Sequence, residues 1–204
     1  MIHSIYGFVK TFLTILHFYC MIPKDIEKEA VAVEQKTKDE VLSSIRHFSL
    51  PRYEEIPNVG LYLEQTSKYI SEYISRLGDF TLTGSMISNY VKKDLIANPV
   101  KKQYGREQIA YLFFIVIAKT VLSLEDIQRI IELQKHSYPP QVAYDYFRLE
   151  MENVLGHVFG LKDTLDNIGE TATHEKSILR NTIIAVAHKV YIDQYLLAGR
   201  KNVE

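Results

Sequence analysis

The 204-residue sequence predicts a mainly α fold with one short β-wing and a two-helix module at its C-terminal end. Three observations carry this. Apolar residues recur at helical spacing through most of the chain, and hydroxyl residues stand at helix starts, as at Thr83 and Ser123. Between two of those helices, Asn98-Pro99 forces a turn, and Val100 to Tyr104 can pair as a small hairpin.

The elements follow in order. Ile5 to Ile22 is apolar and aromatic, but it has no cationic start beyond the amine and no small-residue cleavage pattern, so it does not read as a signal peptide. Lys10 would sit mid-span in a bilayer at a cost of about 2.5 to 3.5 kcal/mol. Met21 is the expected start, with Met1 and either a membrane anchor or a docked helix over 5–22 as alternatives. The charged stretch from Lys24 to Glu40 reads as a frayed helix or linker, so residues 1–47 form an apolar segment plus a charged linker.

Leu50-Pro51 and Ile56-Pro57 keep the next segment extended. Leu61, Leu63, Tyr69, Ile70, Tyr73, Ile74 and Leu77 then mark a scaffold helix that ends at Gly78-Asp79. After a turn over Gly78 to Thr81, Thr83 caps a short helix whose inner arc is Met86, Ile87, Tyr90 and Val91. Its outer arc is Ser85, Ser88, Asn89, Lys92 and Lys93, with Asp94 marking its end. Hydroxyl and amide groups on such a face can bond base edges while lysines neutralise phosphates; the alternative is an ordinary solvated face.

The following segment favours the first reading. From Thr83 through Arg106 the cations are Lys92, Lys93, Lys101, Lys102 and Arg106 against Asp94 alone, although the whole chain carries a formal net charge of −1. Affinity for a polyanion depends on how many phosphates are neutralised locally and not on net charge. Gly105 with Gln108 opens a helix expected to run through Leu122, and Ser123 with Asp126 caps the next, whose inward stripe is Leu124, Ile127, Ile130 and Ile131.

The residues LTGSMISNYVKKDLI, PVKKQY, REQIAYL and LSLEDI, from Leu82 to about Ile131, resemble the MerR type of winged helix-turn-helix. Ile87, Tyr90, Leu95, Lys102, Tyr104, Ser123 and Leu124 occupy matching places. Ser88, Asn89 and Asp94 depart from that pattern, standing where it has arginine, tyrosine and glycine. A closer resemblance, over roughly Phe48 to Leu133, is to the bacterial family called domain of unknown function eighteen-thirty-six, found mostly in Firmicutes. It rests on FSLPRYEEIPNVGLYLEQ, ISNYVKKDLI with NPVKKQY, and REQIAYL with IAKTVLSLEDI. The resemblance implies a MerR-like winged helix-turn-helix domain over 48–135 and a regulator without a defined ligand.

Beyond Gln134, His136 to Pro140 reads as a linker, and amphipathic helices around Val142–Phe159 and Glu175–Leu197 form a separate module over 136–204, for dimerisation or for an effector. Leu179, Ile183, Val186 and Val190 are spaced as a seam, either against the neighbouring helix or against the same helix of a second copy in a homodimer. Gly156 and Gly160 read as a helix end.

No P-loop, GxGxxG, HExxH or GxSxG pattern is present, so no enzyme activity, cofactor or metal is expected. Glu132 with His136 and Asn153 with His157 are read as chance pairs. The single cysteine, Cys20, excludes an internal disulfide and fits a reducing cytoplasm.

The expected function is a cytoplasmic, DNA-binding transcriptional regulator. Ser85, Ser88 and Asn89 would face bases, Lys92 and Lys93 lie near the backbone, and Lys101, Lys102, Tyr104 and Arg106 belong to the wing. Double-stranded DNA is the partner, and no membrane is expected unless residues 5–22 form an anchor. The alternative is a protein-interaction adaptor of the same fold.

Overall fold

In the computed structural model of the protein, residues 24–169 and 173–201 are described; the apolar segment 5–22 and both candidate start methionines lie outside them. The described chain is mainly helical, with one small two-stranded sheet. The helices are α1 (Lys24–Ile45), α2 (Leu63–Ile74), α3 (Gly84–Lys92), α4 (Arg106–Ala118), α5 (Leu124–Ser137), α6 (Pro140–Val158) and α7 (His174–Lys201). The strands are β1 (Leu61–Tyr62) and β2 (Gln103–Tyr104). Single 3-10 turns at Tyr53–Glu55 and Ser75–Leu77 complete the set.

The organising element is α4. Ile109, Ala110 and the whole run from Leu112 to Ala118 are buried, so this helix is apolar on every side and needs cover on every side. The cover comes from α2, α5, α6 and α7, all of which pack on it. At its centre Phe113 is fully buried and meets Tyr69 and Tyr73 edge-on at ring separations of 6.1 and 5.8 Å.

That requirement draws the C-terminal helices into the same core. The C-terminal helices are not set apart: Phe147, Met151 and Val154 of α6 and Ile183, Val186 and Val190 of α7 join the same core as α4. A boundary at 135 would fall inside α5. The expected linker over His136 to Pro140 is only Tyr138 and Pro139. Tyr138 is extended, as a residue preceding proline should be, and Pro140 opens α6 where its missing N–H has no partner to lose. The seam of Leu179, Ile183, Val186 and Val190 packs within the chain, the first of the two alternatives.

The charged stretch after Met21 is likewise a continuous helix. In α1, Thr37, Val41 and Ile45 recur every four residues as one buried stripe, and α1 lies against α7. Arg76 donates to the carbonyl of His47 (2.5 Å), tying the end of α1 to the end of α2.

Helix α4 stops at Ala118, short of the expected Leu122. Ser123 must be extended (φ −70°, ψ 156°) to cap α5, so Lys119 to Leu122 are spent on tightening turns. The Ser123 hydroxyl oxygen accepts from the Asp126 amide at 3.1 Å. At the other end of the core, Gly160 (φ 72°) ends α6: its amide bonds His157, and that of Leu161 bonds Gly156.

Candidate nucleic-acid interface

The candidate surface is built from α2, α3 and the hairpin of β2. Helix α3 begins where the sequence places it, with Thr83 Oγ1 accepting from the Met86 amide at 3.3 Å. Ile87 and Tyr90 are buried, and Met86 and Val91 pack at the edge of the core. Two bonds fix the turn before α3: Ser67 of α2 donates to the Leu82 carbonyl (2.5 Å), and Lys119 Nζ donates to the Thr81 carbonyl (3.1 Å). Burial lowers the Lys119 pKa, a group with no place in the sequence reading. Helices α2 and α3 cross closely at Gly84, where a Cβ would meet Leu63 and Glu64 at 3.0 to 3.2 Å.

The exit from α3 explains one departure noted in the sequence. Asp94 has φ 55°, the left-handed conformation usually given to glycine and reached among L residues mainly by Asn and Asp. The Leu95 amide bonds the Tyr90 carbonyl (3.0 Å) and the Asp94 amide bonds that of Val91 (3.0 Å). Leu95 and Tyr90 are both buried, the apolar contact that accompanies such a cap.

The expected hairpin forms, and its second strand finds a partner some 40 residues earlier in the chain. β2 pairs antiparallel with β1, Leu61 opposite Tyr104 and Tyr62 opposite Gln103, while Val100 bridges Gln103 around the two-residue turn Lys101-Lys102. Both lysines have positive φ, 51° and 64°, as a primed hairpin turn requires. Asn-Gly is the usual sequence for such a turn, and left-handed backbone costs a lysine roughly 1 to 2 kcal/mol. Gly60 lies against β2, where a Cβ would stand 2.7 Å from the Cβ of Gln103. Gly60→Ala is therefore expected to push the hairpin off its bed and cost about 1 to 3 kcal/mol, read as a lower unfolding midpoint in urea. An unchanged midpoint would show that β1 and β2 part without loss.

The nine residues expected to touch DNA divide into three groups. Ser85, Asn89, Lys92, Lys93, Lys101 and Lys102 are exposed, and among the described residues none of the four lysines is hydrogen-bonded or ion-paired. Ser88 is half-buried and donates its hydroxyl proton to the Gly84 carbonyl at 2.9 Å.

The remaining two are engaged in the fold. Tyr104 is buried in the core, and burial raises its pKa. Arg106 donates through Nε to the Ile56 carbonyl (2.8 Å) and through Nη2 to that of Glu54 (3.1 Å), with its guanidinium 5.7 Å from the centre of the Tyr53 ring. It caps the turn over 53–55, satisfying carbonyls that a helix end leaves open.

Among the described residues no group of three or more His, Cys, Asp or Glu side chains is placed to hold a metal, and no helix is long and apolar enough to cross a membrane. The arrangement that remains is a short helix with a polar outer face and a lysine-tipped hairpin, both packed on α2.

Residues 51–147 match the family described as Domain of unknown function (DUF1836). The matched stretch runs from the 3-10 turn before β1 to Phe147 in α6, and so takes in α2, α3, the hairpin, α4 and α5. No curated protein and no solved structure matches the chain.

Proposed function

We propose that the protein is a cytoplasmic transcriptional regulator that binds double-stranded DNA through a MerR-like winged helix-turn-helix. In this reading α2 is the scaffold, α3 the recognition helix and the β2 hairpin the wing. The observation that supports it most is the Lys101-Lys102 turn. Two adjacent lysines are held at left-handed φ, exposed and without a partner among the described residues, where other residues would sit with less strain. Backbone strain that the local sequence does not relieve points to a use for the side chains themselves.

The roles follow from exposure. Ser85 and Asn89 read base edges, and Ser88 keeps only acceptor capacity on its hydroxyl. Lys92 and Lys93, at the C-terminal end of α3, and Lys101 and Lys102 neutralise phosphates. Arg106 and Tyr104 hold the wing in place from within.

Replacing Lys101 and Lys102 by alanine is expected to weaken binding to all duplex sequences alike. The slope of log Kobs against log salt should flatten by up to about 2 units. Fluorescence anisotropy on a labelled random duplex checks this, and an unchanged slope removes the hairpin from the interface. The second reading, an adaptor that docks a protein on the same face, is favoured by the withdrawal of Arg106 and Tyr104 from the surface. It predicts no salt-dependent retention on random duplex.

A further inference from the structure

Away from α3 and the wing, a partly enclosed cavity of about 190 Å³ lies between α4, α5, α6 and α7. Its walls are mostly apolar and rich in rings, among them Tyr111 and Phe114 of α4 and Tyr146 and Phe147 of α6. Interiors are close-packed, and an apolar void of about 150 Å³ already accepts benzene, so this volume suits one ring with a small substituent.

The polar groups at the wall narrow the ligand further. Tyr111 donates to Gln134 Oε1 (2.9 Å), and Gln134 Nε2 donates to the Tyr138 carbonyl (2.7 Å). This leaves Tyr111 able to accept one bond and Gln134 able to donate one more. Burial pushes the Tyr111 pKa up to about 12, so the hydroxyl stays neutral at physiological pH. Glu175 and Lys176, which also line the cavity, carry opposite charges and are held by Ser137 (3.3 Å) and by the Tyr146 ring (5.3 Å) respectively. The lining therefore offers no net charge to attract an ion.

We propose that this cavity is a binding site for a compact, uncharged aromatic molecule bearing one N–H or O–H group, which donates to Tyr111 while its ring lies among Phe114, Tyr146 and Phe147. The ligand would touch α4, the helix on which α2 packs, and α7 in the same site. The proposal does not depend on DNA being bound elsewhere.

Indole is the probe, because the chain has no tryptophan and the added ring can be excited selectively beyond the red edge of tyrosine absorption. Titrating the full-length protein with indole is expected to give saturable one-to-one binding with a blue-shifted emission. Ala110→Leu and Ala143→Leu fill the cavity from α4 and α6 and should each abolish that shift, while circular dichroism shows the helical fold retained. Gln134→Leu, which frees the Tyr111 hydroxyl from its partner and misplaces it, should weaken binding about five- to tenfold. Absence of a saturable shift at millimolar indole overturns the proposal, as does undiminished binding in a folded Ala110→Leu or Ala143→Leu variant. If either leucine variant fails to fold, benzene in competition with indole gives the answer: displacement supports a ring-sized apolar site, and no displacement overturns it.

Discussion

Replacing Glu150 by alanine should lower the stability of the whole chain by about 3 kcal/mol, the lower end of what breaking a buried ion pair costs. Glu150 is fully buried on α6, and its Oε1 lies 2.9 Å from Nε of Arg180 on α7. Asn153 donates to its other oxygen at 3.3 Å, and also to the Asp166 carbonyl at 2.9 Å. Removing the carboxylate leaves Arg180 without its charged partner but still bonded to the Asp166 carbonyl (2.6 Å) and to Asn167 (3.0 Å), which keeps the loss at the low end.

For a chain of this size the melting point should fall by roughly 6 to 12 °C, since 1 kcal/mol shifts it by about 2 to 4 °C. The double substitution Glu150→Met with Arg180→Met should recover most of the loss, because methionines fill the space without a stranded charge. A thermal melt unchanged by Glu150→Ala would show that α6 and α7 are held by their apolar seam alone.

The same group bears on acid stability, with a sign opposite to the usual surface carboxylate. Burial first, against the opposing pull of Arg180, raises the Glu150 pKa above its ordinary value. Between the unfolded and the raised native value the native state binds more protons than the unfolded chain. Its contribution to stability therefore grows as pH falls through that window and shrinks as pH rises through it.

Replacing Lys92, Lys93, Lys101 and Lys102 together by alanine should remove binding to random duplex. All four are exposed, so the fold should not suffer. Four phosphate contacts at about 0.9 each correspond to a salt slope near −3.6, and to a loss of affinity of about 10² between 50 and 200 mM salt. The quadruple variant should show neither. Retained, salt-dependent binding in a folded quadruple variant would place the interface on another surface.

Much of the fold is legible in the sequence because its signals are local. Thr83 and Ser123 cap the helices they precede, and Gly160 ends one, because each satisfies backbone groups within a few residues. What escapes the sequence is set by distant partners. Arg106 looks like one more cation of the wing, yet carbonyls some 50 residues earlier claim it. Tyr104 sits beside the lysines but points its ring inward, since a strand alternates its faces.

The docking of α1 on α7 is similarly hidden, because the charges of residues 24–40 outweigh the apolar spacing of Val41 and Ile45 that follows them. The close joining of α5 to α6 is hidden for another reason. A proline pair reads as a spacer, yet a proline that opens a helix can join two helices almost without a gap. Lys119, following an apolar run, was the one visible hint that a cation is tied into the turn before α3.

The proposed role requires the exposed lysines of α3 and of the hairpin turn to act together on a polyanion. The direct measurement is anisotropy of a labelled random duplex of about 30 base pairs titrated with the full-length protein at several salt concentrations. The expected result is binding at 50 mM salt, with log Kobs falling linearly in log salt at a slope of about −3 to −4. No binding at 50 mM salt, or binding indifferent to salt, would contradict it.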